Sequence, residues 1–182
     1  MSVDLSIRPD AAFGLEVEQR SGQPVSLCYQ CRRCTTGCPL AFAMDYRPNQ
    51  VMRMIQLGRQ DELLESKAVW VCASCQTCTT RCPNDIDIAH VMDTLRQMSR
   101  QKGATPGEPK VVKFHKAFLD SVRRHGRLFE LEMVGFYKLA TLDFFGDMKI
   151  AVEMLKRGKL RFRPSNIQGR REVRQMFDGK NL

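Results

Sequence analysis

The sequence lacks the features of a membrane protein and of a nucleotide-dependent enzyme. No apolar run approaches the roughly 18 residues that a membrane-spanning helix needs, and the first residues show no basic start followed by an apolar core. There is neither a G-x-G-x-x-G loop nor a phosphate-binding P-loop. We therefore expect a cytoplasmic protein with no membrane span, unable to carry out two-electron bond chemistry on its own.

Signatures of nucleic-acid binding are also missing. The formal net charge is +9, and the basic excess lies mainly after residue 102. A basic region of this kind suits nucleic acid, anionic lipid or an acidic protein. The sequence has no DNA-binding helix pair, no interleaved aromatic RNA-binding pattern and no dense Lys/Arg block. We expect a protein partner and no nucleic acid.

Cysteine is abundant and follows an internal repeat. The first run reads C-Y-Q-C-R-R-C-T-T-G-C-P and the second reads C-A-S-C-Q-T-C-T-T-R-C-P. The first run supplies Cys28, Cys31, Cys34 and Cys38, and each cysteine of the second lies 44 positions later, at Cys72, Cys75, Cys78 and Cys82. Duplication of one metal-binding unit explains this register.

The spacing predicts two [4Fe–4S] clusters. A cubane cluster takes four thiolates, and two residues between cysteines bring successive sulfurs to adjacent corners. In two-cluster proteins the fourth cysteine of each run ligates the other cluster, and the proline after it turns the chain. We therefore assign Cys28, Cys31, Cys34 and Cys82 to cluster 1. Cluster 2 takes Cys72, Cys75, Cys78 and Cys38.

Other interpretations of the cysteines are weaker. Structural zinc uses cysteines in two pairs, which leaves the third cysteine of each run unexplained. A disulfide framework does not suit a chain of this size without an export signal. All eight cysteines are used as metal ligands, so no thiol remains as a nucleophile, and we assign no catalytic residue.

The polar and aromatic residues near the cysteines have two interpretations each. The hydroxyls of Thr35, Thr36, Ser74, Thr79 and Thr80 either donate to cluster sulfurs or cap the loops. Three arginines, Arg32, Arg33 and Arg81, either offset cluster charge or form solvated surface, and we favour the surface. We expect Trp70 in the core rather than as an electron relay. We expect His90 as a packed or surface residue rather than a ligand, and His115 and His125 as surface residues of a basic amphipathic helix.

Hydrophobic periodicity predicts an all-α fold. Val51, Met54 and Ile55 share one helical face that begins near Pro48 and ends at Gly58. A longer stripe from Ile88 to Met98 follows Asp87, a suitable N-cap. Further helices are expected from Phe114 to Gly126 and in two segments from Leu128 to Lys159. The tail after residue 160 should hold at most one helical turn, around Val173 to Phe177, and Leu15 and Val17 suggest a short strand.

Composition divides the chain into four parts. Residues 1–24 form an N-terminal extension and residues 25–102 hold both cysteine runs. Residues 103–109, Gly-Ala-Thr-Pro-Gly-Glu-Pro, read as a linker. Residues 110–182 form a helical partner-docking region with a basic tail.

These motifs resemble a known family. The paired C-x2-C-x2-C-x3-C-P runs, with the helical segment 47–58 and the sequence Trp-Val-Cys at 70–72, resemble the α-helical ferredoxin domain. Segments 126–130, 135–139, 156–160 and 169–173 make the chain similar, more narrowly, to the C subunits of heterodisulfide reductases.

The resemblance implies a place in a complex. Proteins of this type pass electrons between a flavin-containing A-type subunit and a catalytic B-type subunit that reduces a disulfide. The Cys-Cys motifs of the catalytic subunit do not occur here, so its activity is not carried over. Two alternatives are a free-standing dicluster ferredoxin-type carrier and an iron–sulfur subunit of another dehydrogenase.

Overall fold

A computed structural model of the chain describes residues 11–142, 153–154, 156–157, 164 and 167–178. Over these residues the secondary structure is helical and contains no strand, which confirms the predicted all-α fold. The chain divides into two compact units after Glu108. No helix in the described part of the chain is long and apolar enough to cross a membrane.

The first unit contains most of the helices. Their bounds are α1 Ala11–Ser21, α2 Arg33–Thr36, α3 Pro48–Gln56, α4 Gln60–Leu64, α5 Lys67–Val71, α6 Thr77–Thr80 and α7 Ile88–Gln101, with a 3₁₀ turn at Val25–Leu27. The short helices α2 and α6 each begin inside a cysteine run and contact one another. Both motifs therefore lie on helix-flanked loops.

Helix boundaries follow local sequence chemistry. Pro48 occupies the first turn of α3, where its missing N–H costs nothing, and Gly58 follows the helix with φ of 70°. The Asp87 side chain accepts a hydrogen bond from the His90 N–H at 3.0 Å and so caps α7. These boundaries agree with the predictions.

The N-terminal segment differs from the prediction. Leu15 and Val17 lie in α1, so the suggested strand is wrong. Phe13 and Val17, one helical turn apart, are fully buried, whereas Leu15 is 57% exposed. A single alternation of apolar and polar residues is compatible with both the two-residue period of a strand and the 3.6-residue period of a helix. Burial of Phe13 and Val17, four positions apart, identifies the segment as a helix.

Helix α1 packs against two other helices of the first unit. It contacts α3 and α7, whose buried faces include Val51, Ile55, Val91 and Leu95. A Cβ on Gly14 would lie 3.5 Å from the Ile55 carbonyl oxygen, so the two backbones approach closely. The core of the first unit therefore depends on residues that precede the cysteine motifs.

The second unit contains α8 Pro109–His125, α9 Glu130–Thr141 and α10 Arg170–Asp178. Helices α8 and α9 match the predicted segments, and Gly126 ends α8 with φ of 76°. The second predicted segment before Lys159 lies largely outside the described residues. Helix α10 spans nine residues, so the expectation of at most one turn is wrong. Val173 and Phe177 are half-buried on α10, which packs against α8.

Candidate metal centre

The two cysteine loops have the same backbone shape. Gln30 and Arg32 adopt positive φ values of 62° and 65°, and Ser74 and Gln76, 44 positions later, adopt 49° and 64°. Left-handed conformations cost energy in residues with a side chain, so they persist only where the surrounding structure requires them. The sequence repeat is therefore also a repeat of loop conformation.

The cysteines differ in exposure. Cys34 is buried, Cys31 and Cys75 are exposed, and the remaining five are intermediate. Burial raises the pKa of the Cys34 thiol to about 11, against a smaller opposite effect of a hydrogen bond from Thr35. Burial also raises the pKa of Cys72 and of Cys78. These thiols are poor anions by themselves, and a bound cation is what favours their deprotonated form.

One cleft joins cysteines from both motifs. Cys72, Cys75 and Cys78 of the second run line it together with Cys38 of the first run. Its walls are otherwise largely apolar and include Pro39, Leu40, Met44, Pro48, Ala73, Ile88, Ala89 and Met92. Four soft sulfur donors around a shared space in an apolar shell fit an iron–sulfur cluster.

The fourth cysteine of the second run lies on a loop that is tied to the first run. The Asn84 side chain donates a hydrogen bond to the carbonyl of Leu27, the residue before Cys28. Gly37 faces its counterpart in the repeat, Arg81, since a Cβ on Gly37 would lie 2.7 Å from the Arg81 Cδ. The segment around Cys82 is thereby held beside the first motif.

Side chains on the long helices hold the chain entering each motif. The Gln56 Nε2 on α3 donates to the carbonyl oxygens of Val25 and Cys28, at 3.1 and 2.8 Å. On α7, Arg96 Nη2 donates to the carbonyl oxygens of Val69 and Cys72, at 2.9 and 2.8 Å. Neither residue could be singled out from the sequence, because nothing in the local pattern marks a polar side chain that reaches a distant carbonyl.

The hydroxyl groups near the cysteines donate to oxygen atoms. Thr36 donates to the Arg33 carbonyl at 3.1 Å, Thr80 to the Thr77 carbonyl at 3.1 Å, and Ser74 to Asp93 Oδ1 at 3.1 Å. These contacts favour the loop-capping interpretation.

Two threonines lie between a sulfur and an oxygen. Thr35 donates to Asn49 Oδ1 at 2.6 Å, and its counterpart Thr79 donates to Asp87 Oδ1 at 2.8 Å. Each is also close enough to lower the pKa of the adjacent cysteine, an effect that burial outweighs. A hydroxyl has one proton, so donation to the side-chain oxygen competes with donation to sulfur.

Two further side chains contact cysteine sulfur atoms directly. Gln30 Nε2 donates to Cys28 Sγ at 3.4 Å, and Thr77 Oγ1 lies 3.4 Å from Cys75 Sγ. Hydrogen bonding by Thr77 lowers the pKa of the Cys75 thiol. Because hydrogen bonds to ligand sulfur stabilise its negative charge, these two residues are better candidates for tuning a cluster than the hydroxyls we named.

The remaining predicted neighbours are placed as follows. Arg32, Arg33, Arg81 and His90 are exposed, as expected for surface residues, and Trp70 is buried with 4% exposure. His125 is different, because its Nε2 lies 2.8 Å from a carboxylate oxygen of Glu132 and its side chain is only 15% exposed. It forms part of the packing of the second unit, together with the ion pair between Arg124 and Glu132.

Comparison with known protein families identifies the class of domain. Residues 27–87 match the model of a 4Fe-4S dicluster domain. This segment contains all eight cysteines. The match supports bound iron–sulfur clusters in the region where the structure brings the two motifs together.

Curated relatives of the chain are iron–sulfur subunits. It is 42% identical over 79 residues to an iron–sulfur C subunit, the one numbered 2, of the CoB–CoM heterodisulfide reductase of Methanocaldococcus jannaschii, a match that covers 43% of this chain and 42% of that protein. It is 37% identical over 86 residues to the iron–sulfur C subunit of the Methanopyrus kandleri enzyme, a match that covers 47% of this chain and 45% of that protein.

A longer match has lower identity. The chain is 31% identical over 103 residues to the C subunit of the H2:CoB–CoM heterodisulfide,ferredoxin reductase of Methanothermobacter thermautotrophicus, covering 57% and 56%. The chain thus spans about half the length of the curated relatives it matches. The resemblance to heterodisulfide reductase C subunits that the motifs predicted is confirmed.

Proposed function

We propose that this protein is the electron-transfer subunit of a heterodisulfide-reductase-like complex and that it holds two [4Fe–4S] clusters. In this proposal Cys28, Cys31, Cys34 and Cys82 ligate cluster 1, and Cys72, Cys75, Cys78 and Cys38 ligate cluster 2. Bound clusters of this type supply reversible one-electron transfer.

The cleft shared by the two motifs is the observation that carries the proposal. Cys72, Cys75 and Cys78 of the second run line this cleft together with Cys38 of the first run. Crossed ligation requires these four cysteines for cluster 2. The contact between Asn84 and Leu27 supports the proposed assignment of Cys82 to the cluster of the first run. Crossed ligation would keep the clusters adjacent, and adjacency is what a chain of one-electron steps needs.

The protein's own residues have three tasks in this function. The cysteines hold the clusters, the carbonyl contacts of Gln56 and Arg96 fix the loops, and apolar residues such as Met44 and Met92 exclude water from the second site. No side chain is assigned to substrate chemistry. Electrons would therefore pass to a separate catalytic subunit.

The partners in this proposal are a flavin-containing A-type subunit and a catalytic B-type subunit. The relatives are named as subunits of heterodisulfide reductases, which supports assembly with other chains. The cytoplasmic location expected from the sequence belongs to the same proposal, because thiolate ligands persist in a reducing compartment.

The second unit offers a surface suited to an acidic partner. Arg123, Arg124, Arg170 and Arg174 line a cleft together with Asp120. Arg123 and Arg124 are ion-paired within the unit, with Asp178 and Glu132. Arg170 and Arg174 are exposed on α10. Nearby exposed apolar side chains on α9, including Phe136 and Leu139, provide area that a partner can cover. We assign partner docking to this unit.

Charge reversal tests this docking assignment. We expect the double variant R170E/R174E to weaken association with the partner subunits at least about tenfold, because like charges then face the acidic partner. Association would be measured by gel filtration and titration of the purified, cluster-loaded protein. The matched control is K110E/K116E, which makes the same charge change at exposed positions of α8 outside the cleft.

The outcomes separate the candidate functions. Equal affinity for both double variants would contradict the docking assignment. If the protein is mixed with the A-type and B-type subunits, elutes separately from them and still reduces several acceptors in solution, a free-standing dicluster carrier would be supported instead.

A further inference from the structure

The two halves of the repeat hold their cluster loops with different chemistry. Val25 and Cys28 of the first half correspond to Val69 and Cys72 of the second, 44 positions later. In each half one side chain from the following long helix donates to both carbonyls. The first donor is the neutral amide of Gln56, and the second is the cationic guanidinium of Arg96.

The same two carbonyls accept a side-chain donor in both halves. Val25 begins the 3₁₀ turn that Cys28 follows, and Val69 lies in α5, which ends immediately before Cys72. Besides the side-chain donor, the Val25 carbonyl accepts the Cys28 N–H at 3.1 Å, whereas carbonyls in the last turn of a helix such as α5 lack intrahelical partners. A neutral amide satisfies them in the first half, so the positive charge in the second half is not required for hydrogen bonding alone.

The charge of Arg96 is held close to the second motif and partly away from water. Its side chain is 17% exposed, and besides Cys72 it donates twice to the Val69 carbonyl, at 3.1 and 2.9 Å. Its counter-charge, Asp93, lies 2.7 Å away but is 41% exposed. Water screens the exposed carboxylate more than the guanidinium, so the pair leaves a net positive field at Cys72.

The first half has a weaker equivalent. Arg53 donates to the Gln56 Oε1 at 3.2 Å, on the side of the amide away from the held carbonyls. Arg53 is exposed, so its charge is screened by solvent. The first loop also carries Arg32 and Arg33 where the second has Gln76 and Thr77, but both arginines are exposed and screened by solvent. The partly buried cation therefore lies beside the second motif.

From this asymmetry we propose that Arg96 is a positioning and tuning residue that makes cluster 2 easier to reduce than cluster 1. The inference rests on the proposed two-cluster function. One-electron reduction adds one negative charge to a cluster, and a nearby cation stabilises the reduced form, which raises the reduction potential. An electron shared by the two clusters then resides mainly on cluster 2, the cluster ligated by Cys72.

The test is an anaerobic redox titration of the cluster-loaded protein and its variants, followed by EPR. In R96Q we expect one of the two reduction steps to move to lower potential while the other stays in place. The expected change is about tenfold in the ratio of reduced to oxidised cluster at fixed potential, or about 59 mV for a one-electron couple. The matched control is R100Q, the same substitution at an exposed position of α7, which should move neither step.

Two further variants distinguish charge from geometry. R96K keeps the charge but loses the bidentate contact, so its potential should stay near that of the parent protein. D93N removes the counter-charge and should raise the same step by a smaller amount. Iron content and far-UV circular dichroism would verify that each variant carries its clusters.

Opposite outcomes would overturn the inference. Equal shifts in R96Q and R96K would assign the effect to hydrogen bonding instead of charge, and no shift in R96Q would remove Arg96 from tuning; both leave the proposed function intact. A parent protein with no reversible one-electron step would reject the proposed function itself, and this inference with it.

Discussion

Substitution of Cys38 by alanine should remove the second cluster and leave the first. Cys38 belongs by sequence to the first run, but it lines the cleft with Cys72, Cys75 and Cys78. Loss of one of four thiolate ligands opens the cluster to solvent and loss of iron. We expect iron to fall from about eight to about four per chain, measured after anaerobic purification.

The identity of the remaining cluster gives the decisive comparison. C38A should match C75A in its EPR spectrum and reduction potential, because under the proposed crossed ligation both changes remove a ligand of cluster 2. It should differ from C31A, which under that proposal removes a ligand of cluster 1. C82A should instead match C31A. If C38A matches C31A, each run ligates its own cluster and crossed ligation is wrong.

Truncation of Phe13 should destabilise the whole cluster-binding unit. Its side chain is 1% exposed on α1, which packs against both α3 and α7. Deleting a buried aromatic ring costs about 3–5 kcal/mol, a large part of the roughly 5–15 kcal/mol that stabilises a domain. F13A should therefore shift the urea midpoint strongly and speed the loss of cluster absorbance.

Helix α1 also touches the entrance of the first motif. The Glu18 Oε1 accepts a hydrogen bond at 2.6 Å from the Ser26 N–H, two residues before Cys28. Loosening α1 should thus release cluster 1 early. The control is L15A on the same helix, where the side chain is 57% exposed and substitution should change stability by less than about 0.5 kcal/mol. Similar midpoints for F13A and L15A would mean that α1 is not part of the folded core.

The helical fold could be predicted because its signals are local. The stripe from Ile88 to Met98 repeats at helical spacing, and Asp87 stands where an N-cap belongs. Helix α1 shows the limit of such signals. Its buried positions, Phe13 and Val17, lie one turn apart, and the exposed Leu15 between them imitates the alternation of a strand.

The full length of α10 could not be predicted for a related reason. Arg170–Asp178 is rich in charged residues, and its apolar residues are Val173, Met176 and Phe177. Its partner surface is α8, far earlier in the chain, and Arg123 of α8 also forms an ion pair with Asp178. Short polar helices depend on such tertiary contacts, which a local pattern does not contain.

The cysteine motifs could be predicted in type because thiolate spacing is dictated by the metal group. Their surroundings could not. Gln56 and Arg96 reach carbonyls 28 and 24 positions away, and Asn84 reaches a carbonyl 57 positions away. The hydroxyls near the cysteines were the obvious candidates by proximity in sequence, but most of them bond to nearby oxygens. Which atom a polar side chain reaches is set by packing of the helices, not by its neighbours in the chain.

Metal analysis combined with EPR is the sharpest test of whether this protein is a two-cluster electron carrier. The protein would be purified without oxygen, analysed for iron and sulfide, and reduced with dithionite. We expect about eight irons and eight sulfides per chain, with a spectrum of two spin-coupled reduced clusters. Bound zinc with no paramagnetic signal on reduction would contradict this assignment and leave a structural metal-binding protein.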